Sequence, residues 1–115
     1  MLYSRGEVVL VLFPDSNLRT GKRRPGLVVQ ANHLSTGLSQ IIVAMITSNL
    51  NRAGHPSRVL VQLKSAAGKQ TGLLTDSVIM TDNLVTVMDG EVDRAIGVWL
   101  DMSSVDAALS HTLGL

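Results

Sequence analysis

The chain has 115 residues, of which 45% are apolar, and it carries a formal net charge of +1 at pH 7 and no cysteine. This length suits one domain with a core of its own, so residues 1–115 are expected to form a single domain. The lack of cysteine excludes disulfides, thiolate zinc sites and cysteine nucleophiles, and it favours a cytoplasmic location. No stretch reaches the roughly 18 apolar residues of a membrane span, so no membrane partner is expected.

Six short apolar runs predict β-strands, because they are rich in β-branched residues and bounded by turn-forming residues. They are residues 8–13, 26–30, 40–46, 58–63, 77–81 and 96–100. Pro14 ends the first run, and Pro25 opens the second, a position at which a strand tolerates proline. The polar residues 15–24 between them show no periodicity and predict a loop.

The end of the chain predicts a helix instead. Ser103 followed by Asp106 resembles a capping box, and Gly114 occupies the position of a C-terminal cap. Apolar residues recur between them at helical spacing. The predicted architecture is therefore mainly β, with short strands closing into a small barrel and one C-terminal amphipathic helix.

Charge is distributed unevenly along the chain. Residues 1–58 hold seven basic and two acidic residues, a net charge of +5, whereas residues 59–115 hold three basic and seven acidic residues, a net charge of −4. Four basic residues fall between Arg19 and Arg24. Such a patch attracts phosphate groups even in a nearly neutral protein. The alternative interpretation is an ordinary solvated loop.

Familiar motifs for cofactors and metals are missing from the sequence. There is no phosphate-binding glycine loop and no dinucleotide-binding motif. The three histidines, His33, His55 and His111, lie far apart on different predicted elements. The carboxylates between residues 89 and 93 predict a solvated acidic loop. We therefore expect neither a metal site nor a cofactor.

Two positions could together hold a phosphodiester. Arg24 precedes Pro25 at the predicted entrance of one strand, and Thr47-Ser48 follows the next. An arginine fork suits a phosphate, and a hydroxyl adds a neutral hydrogen-bond donor. If these strands are neighbours, the residues share one rim. The alternative is that residues 47–49 only make a turn.

Four segments, in order, resemble the MazF/PemK family of toxin endoribonucleases. They are Arg-Gly-Glu-Val at 5–8, Lys-Arg-Arg-Pro-Gly-Leu-Val-Val at 22–29, Val-Ala-Met-Ile-Thr-Ser-Asn at 43–49, and Gly-Leu-Leu-Thr-Asp-Ser-Val-Ile at 72–79 with Asp82 and Thr86-Val87 beyond. Each segment alone is weakly specific. Together they cover nearly the whole chain in the order and spacing of the family.

The resemblance implies an SH3-like barrel, the fold shared with the gyrase poison CcdB, and a homodimer. It also implies the toxin of a type II toxin–antitoxin pair, which cleaves single-stranded RNA without a metal by attack of the 2′-OH and is bound by a cognate antitoxin. The family's catalytic arginine and threonine fall on Arg24 and Thr47. Supporting roles fall on Ser48 and on Asp82. Basic residues expected to recruit RNA are Arg19, Lys22 and Arg23.

The chain also departs from the family pattern. Residues 17–20 read Asn-Leu-Arg-Thr, so Leu18 and Arg19 stand within a segment that is commonly Gly-Ser/His-Glu-Gln. Met80 replaces an arginine of some members, and Asn83 replaces the usual glutamine. A second hypothesis is therefore a non-catalytic binding module on the same barrel, either a gyrase inhibitor or a degenerate family member. A third is a small barrel with no role on nucleic acid.

Overall fold

The computed structural model describes residues 2–14 and 21–115. Six strands and two helices form within them, with 3-10 turns at Leu50–Arg52 and Asp89–Glu91. The strands are β1 (Glu7–Pro14), β2 (Gly21–Val28), β3 (Gln40–Thr47), β4 (Arg58–Val61), β5 (Ser77–Met88) and β6 (Val92–Val98). The helices are α1 (Ala66–Lys69) and α2 (Met102–Leu113).

All six strands belong to one antiparallel sheet, in the order β4-β5-β3-β2-β1-β6. The expected mainly β fold with a C-terminal helix is confirmed. No ladder within the described residues joins β4 to β6, so the sheet is barrel-like without being closed. Strands β2 and β3 are direct neighbours, which the shared rim requires.

Apolar side chains alternate between the two faces of the sheet and form two clusters. In the first cluster, Val105 of α2 packs against one face of the sheet. The buried sheet residues of this cluster include Val8, Leu27, Ile46 and Ile79. The second occupies the other face, and its members include Val11, Val28, Val43, Met45 and Val87. Residues at the strand ends are therefore supported by packed apolar side chains on both faces of the sheet.

The predicted ends of several strands were wrong, and the largest differences are at the start of β2, the end of β5 and the start of β6. β2 begins at Gly21, so the basic residues 22–24 lie inside a strand rather than in a loop. Their backbone pairs with β1, where Val11 lies opposite Arg24. β5 continues to Met88, and β6 begins at Val92. Asp93 therefore lies in a strand and not in an acidic loop.

The C-terminal helix begins earlier than predicted. Asp101 is its N-cap, because its carboxylate accepts hydrogen bonds from the Ser104 amide and the Ser103 hydroxyl. Ser103 is thus inside the helix rather than its cap. Gly114 adopts the left-handed conformation, with φ at +74°, and ends the helix as predicted. None of the helices within the described residues is long and apolar enough to cross a membrane.

Candidate active site

The β2–β3 ladder brings Arg24 and Thr47 together. Its pairs are Gly26–Met45, Leu27–Ala44 and Val28–Val43. The same register, continued two residues beyond the first of these pairs, sets Arg24 opposite Thr47. Both residues line one groove of about 500 Å³. The rim expected from the sequence therefore exists.

The guanidinium of Arg24 has no partner among the described residues. Arg24 is exposed and forms no ion pair or side-chain hydrogen bond with a described residue. Four other arginines are each held by a carboxylate, namely Arg5, Arg23, Arg58 and Arg94. Arg24 thus keeps its full set of donors for a ligand in the groove.

The hydroxyl of Thr47 is oriented by the backbone that follows it. Thr47 is the last residue of β3, and its Oγ1 accepts a hydrogen bond of 3.1 Å from the amide of Asn49. A hydroxyl can accept one hydrogen bond while it donates another. The Thr47 proton is therefore still available to a ligand, and the turn expected at residues 47–49 orients it. Ser48 is exposed in the same turn and also lines the groove.

The groove is lined by both cationic and apolar side chains. Lys22, Arg24 and Arg94 contribute the positive charge. Apolar lining residues are Leu10, Pro25, Ile46, Leu73, Leu74 and Ile96. This combination suits a phosphate chain that also presents flat or apolar groups.

One wall of the groove is a loop fixed against β6. The amide of Val98 donates a 2.8 Å hydrogen bond to the carbonyl of Gln70. Gly72 has φ at +73°, and a Cβ there would overlap the carbonyl oxygen of Ile96. A Cβ on Gly97 would overlap the backbone of Thr71. This close packing leaves Leu74 97% exposed at the rim.

The other residues proposed from the sequence occupy different places. Lys22 lies two residues from Arg24 and lines the groove with it. Arg23 does not line the groove, and its Nε donates to Asp93 at 3.1 Å. Arg19 lies outside the described residues.

Asp82 is engaged by Arg58 rather than by the groove. Nη2 and Nε of Arg58 lie 2.7 and 3.3 Å from the two carboxylate oxygens of Asp82. These hydrogen bonds hold the pKa of the Asp82 carboxyl below its usual range. Asp82 lines neither groove that contains Arg24.

The sequence did not single out Arg94 or Asn83 as groove residues. Arg94 lies opposite Leu10 on the β1–β6 ladder, and its Nη1 is 2.7 Å from Asp93. Arg94 lies in an acidic stretch of the sequence that gives no sign of a phosphate site. Its place in the groove follows only from the pairing of β6 with β1. Asn83 lines a second groove beside Arg24 and Thr47. In the part of the chain described, no three histidine, aspartate or glutamate side chains gather as a metal cluster.

The fold is a small antiparallel sheet with a C-terminal helix, and its candidate site is a groove lined by Arg24 and Thr47. The family described as PemK-like, MazF-like toxin of type II toxin-antitoxin system matches residues 4–113. The chain belongs to this family.

Two curated relatives are 31% identical over 119 residues, with complete coverage of both chains: endoribonuclease MazF6 of Mycobacterium tuberculosis and endoribonuclease MazF2 of Mycobacterium bovis.

Solved structures share the fold. One is an endoribonuclease in complex with its cognate antitoxin from a mycobacterial species, with a TM-score of 0.74, 22% identity and coverage of 98% of this chain and 96% of that one. Another is a MazE-MazF crystal structure from Deinococcus radiodurans, with a TM-score of 0.72, 17% identity and coverage of 100% and 98%.

Proposed function

We propose that residues 1–115 form one toxin domain that acts in the cytoplasm as an endoribonuclease on single-stranded RNA. The observation that carries the proposal is that Arg24 and Thr47 line the same groove. Arg24 has no partner among the described residues, and the Thr47 hydroxyl can still donate a hydrogen bond. The curated relatives named endoribonuclease support the same activity.

In the proposed reaction the RNA supplies its own nucleophile. The 2′-oxygen forms a bond to phosphorus while the bond from phosphorus to the 5′-oxygen breaks. One proton leaves the 2′-OH and one reaches the departing 5′-oxygen. The products are a 2′,3′-cyclic phosphate and a 5′-OH, so no activated water is needed.

Arg24 and Thr47 stabilise the charge that develops during this step. The Arg24 fork donates to the non-bridging phosphate oxygens, which gain charge at the pentacoordinate phosphorus. Thr47 donates a neutral hydrogen bond to the same group, and Ser48 supports it from the adjacent position. Lys22 holds a neighbouring phosphate, and Arg19 and Arg23 add to the positive field that recruits RNA.

Asp82 has a supporting role that does not involve touching the phosphate. Its carboxylate is held by the Nε and Nη2 atoms of Arg58 on the edge strand β4. A carboxylate with a lowered pKa and no access to the groove is a poor general base at neutral pH. Asp82 therefore acts by fixing the segment of β5 on which it lies.

We propose further that the protein is a homodimer and that its antitoxin covers the groove. A groove lined by cationic and apolar side chains is complementary to an acidic segment that carries apolar side chains. Such a segment would compete with RNA for Arg24. The endoribonuclease that was solved with its cognate antitoxin has the same fold.

The test is cleavage of a 5′-labelled single-stranded RNA in EDTA. We expect cleavage to continue, with a 2′,3′-cyclic phosphate on the 5′ product, because Arg24 supplies the positive charge. Adding the C-terminal half of the antitoxin should protect the RNA. Loss of activity on chelation, restored by Mg²⁺, would contradict metal independence. Binding of RNA with no cleavage would favour the non-catalytic binding module.

A further inference from the structure

A second groove also contains Arg24 and Thr47. It has a volume of about 380 Å³, and its remaining lining residues are Met45, Ile46, Met80, Asn83 and Val85. Arg24 and Thr47 line both this groove and the first one. A phosphate held by this pair would therefore adjoin both grooves.

An irregularity in the β3–β5 ladder accompanies the placement of Asn83 in this groove. Met45 pairs with Met80, but the preceding residue, Ala44, pairs with Leu84. Residues 81–83 are thus extra residues on β5 between two consecutive pairs. Bulges of this kind redirect side chains and occur frequently beside active sites.

The other two residues of the bulge, Thr81 and Asp82, are each held in place by hydrogen bonds. Thr81 is fully buried, and its amide and hydroxyl both donate to the carbonyl of Ser57, at 3.0 and 2.6 Å. Asp82 is held by Arg58 through two hydrogen bonds. Asn83, the third residue, is thereby presented by a backbone with little freedom to move.

The carboxamide of Asn83 is available to a ligand. The side chain is exposed and makes no hydrogen bond to a described residue. A carboxamide offers two donors and one acceptor oxygen, which can pair with adjacent donor and acceptor atoms on the edge of a base. Met45 and Met80 border the same groove, and thioethers make favourable contacts with aromatic rings.

We propose that this groove is a nucleobase subsite, in which Asn83 reads the edge of a base next to the scissile phosphate. The inference rests on the proposed ribonuclease function. The groove volume lies within the range of small-ligand pockets, about 300–1,000 Å³. Since the pocket adjoins the phosphate-binding pair, the base that enters it sets where the RNA is cut.

The experiment maps cleavage sites in a random-sequence RNA pool by sequencing the new 5′ ends. For Asn83→Ala we expect the preference at one position to relax by about 10-fold or more, the size of a lost bidentate contact. For Asn83→Asp, which replaces a donor by acceptors, preference at that position should move towards bases with an amino group. Asn51→Ala, a change of an exposed amide outside both grooves, should leave the preferences unchanged.

The outcomes separate the two proposals. If the wild-type protein cleaves but both Asn83 variants keep the wild-type preference at every position, the subsite is overturned and the ribonuclease function stands. A uniform loss of rate with preferences intact overturns it as well. If Asn83→Ala does not fold, Asn83→Ser keeps a short polar side chain and carries the same expectation. No cleavage by the wild-type protein would instead overturn the proposed function.

Discussion

The side chains of Arg24 and Thr47 can both donate hydrogen bonds to a ligand in the groove. The arginine is charged and has no partner among the described residues, whereas the threonine hydroxyl already has its acceptor side engaged by Asn49. Little rearrangement is then needed when a phosphate enters. Hydrogen-bond donors that are already oriented in this way account for the larger part of the rate enhancement in many enzymes.

Replacing either residue should abolish cleavage without unfolding the protein. We expect Arg24→Lys and Thr47→Ala each to lower the cleavage rate by about 100-fold or more. A lysine ammonium cannot reproduce the paired N–H donors of the guanidinium, and alanine has no hydroxyl to donate. Thr47→Ser keeps the hydroxyl and should retain most of the activity. Single-turnover cleavage and thermal unfolding, measured on the same samples, check both parts.

The matched control for loss of charge is Arg52→Ala. Arg52 is an exposed arginine in the turn after β3 and lines neither groove. Its removal changes the net charge by the same amount as Arg24→Ala and should leave cleavage nearly unchanged. Wild-type rates for Arg24→Ala would show that the assignment of the site is wrong.

The Arg58–Asp82 pair should make stability depend on pH. The pKa of Asp82 is lowered in the folded state, so its contribution is complete above the ordinary carboxyl pKa of about 4 and is lost as pH falls through the lowered value. Asp82→Asn should therefore lower the Tm at pH 7, and the difference from wild type should shrink in acid.

Thermal unfolding between pH 2 and pH 7 measures this difference. Asp89→Asn serves as the control, because Asp89 forms no ion pair with a described residue. Equal Tm differences at both ends of the pH range would rule out a role for the ionised pair.

The residue types at the site could be predicted from the sequence, but their partners could not. Arg24 and Thr47 were candidates because their side chains suit a phosphate and lie near strand ends, and the family resemblance assigned them catalytic roles that stay predictions. Arg23 belongs to the same basic run, yet it faces Asp93, some 70 residues away in the chain. Only the pairing of β6 with β1 creates that contact, and local pattern does not contain it.

At the scale of elements, hydrophobic pattern located the strands but not all of their ends. The second half of β5 and the start of β6 mix buried apolar residues such as Val87 and Val92 with exposed polar ones, so no continuous apolar run marks them in the sequence. The bulge at residues 81–83 has no local signal at all. The helix end at Gly114 was predictable because the left-handed conformation favours glycine.

The loop that forms the groove wall depends on glycine at position 72. We expect Gly72→Ala to destabilise the fold by at least about 1–2 kcal/mol from the left-handed backbone, and by more because the new Cβ meets the Ile96 carbonyl. Cleavage should fall as well, since the loop carries Leu73, Leu74 and Thr75 into the groove. Chemical denaturation and the cleavage assay measure the two effects.

Gly90→Ala is the control for this substitution. A Cβ at Gly90 meets nothing within 4 Å, and its φ is not positive. Its free energy of unfolding should stay within about 0.5 kcal/mol of the wild-type value. Equal effects at the two positions would show that the close packing at Gly72 is unimportant.

At the scale of the whole molecule, we expect a homodimer in solution. Several large apolar side chains are exposed within the described residues, among them Leu12, Leu74 and Met88. A second copy of the chain can cover such surface. Light scattering at micromolar concentration should give about twice the chain mass of 12.3 kDa. A species of one chain mass under these conditions would contradict the prediction.

The loop that packs on β6 also determines how another polypeptide can be recognised. An open sheet edge is a template on which a foreign strand can add by main-chain pairing. At the end of β6 that position is taken, because the Val98 amide already donates to Gln70. The opposite edge, β4, has only four residues within the described chain. We therefore expect strand addition to be restricted at the end of β6 and along the short β4 edge, so that an antitoxin lying over the grooves would be recognised mainly by its side chains.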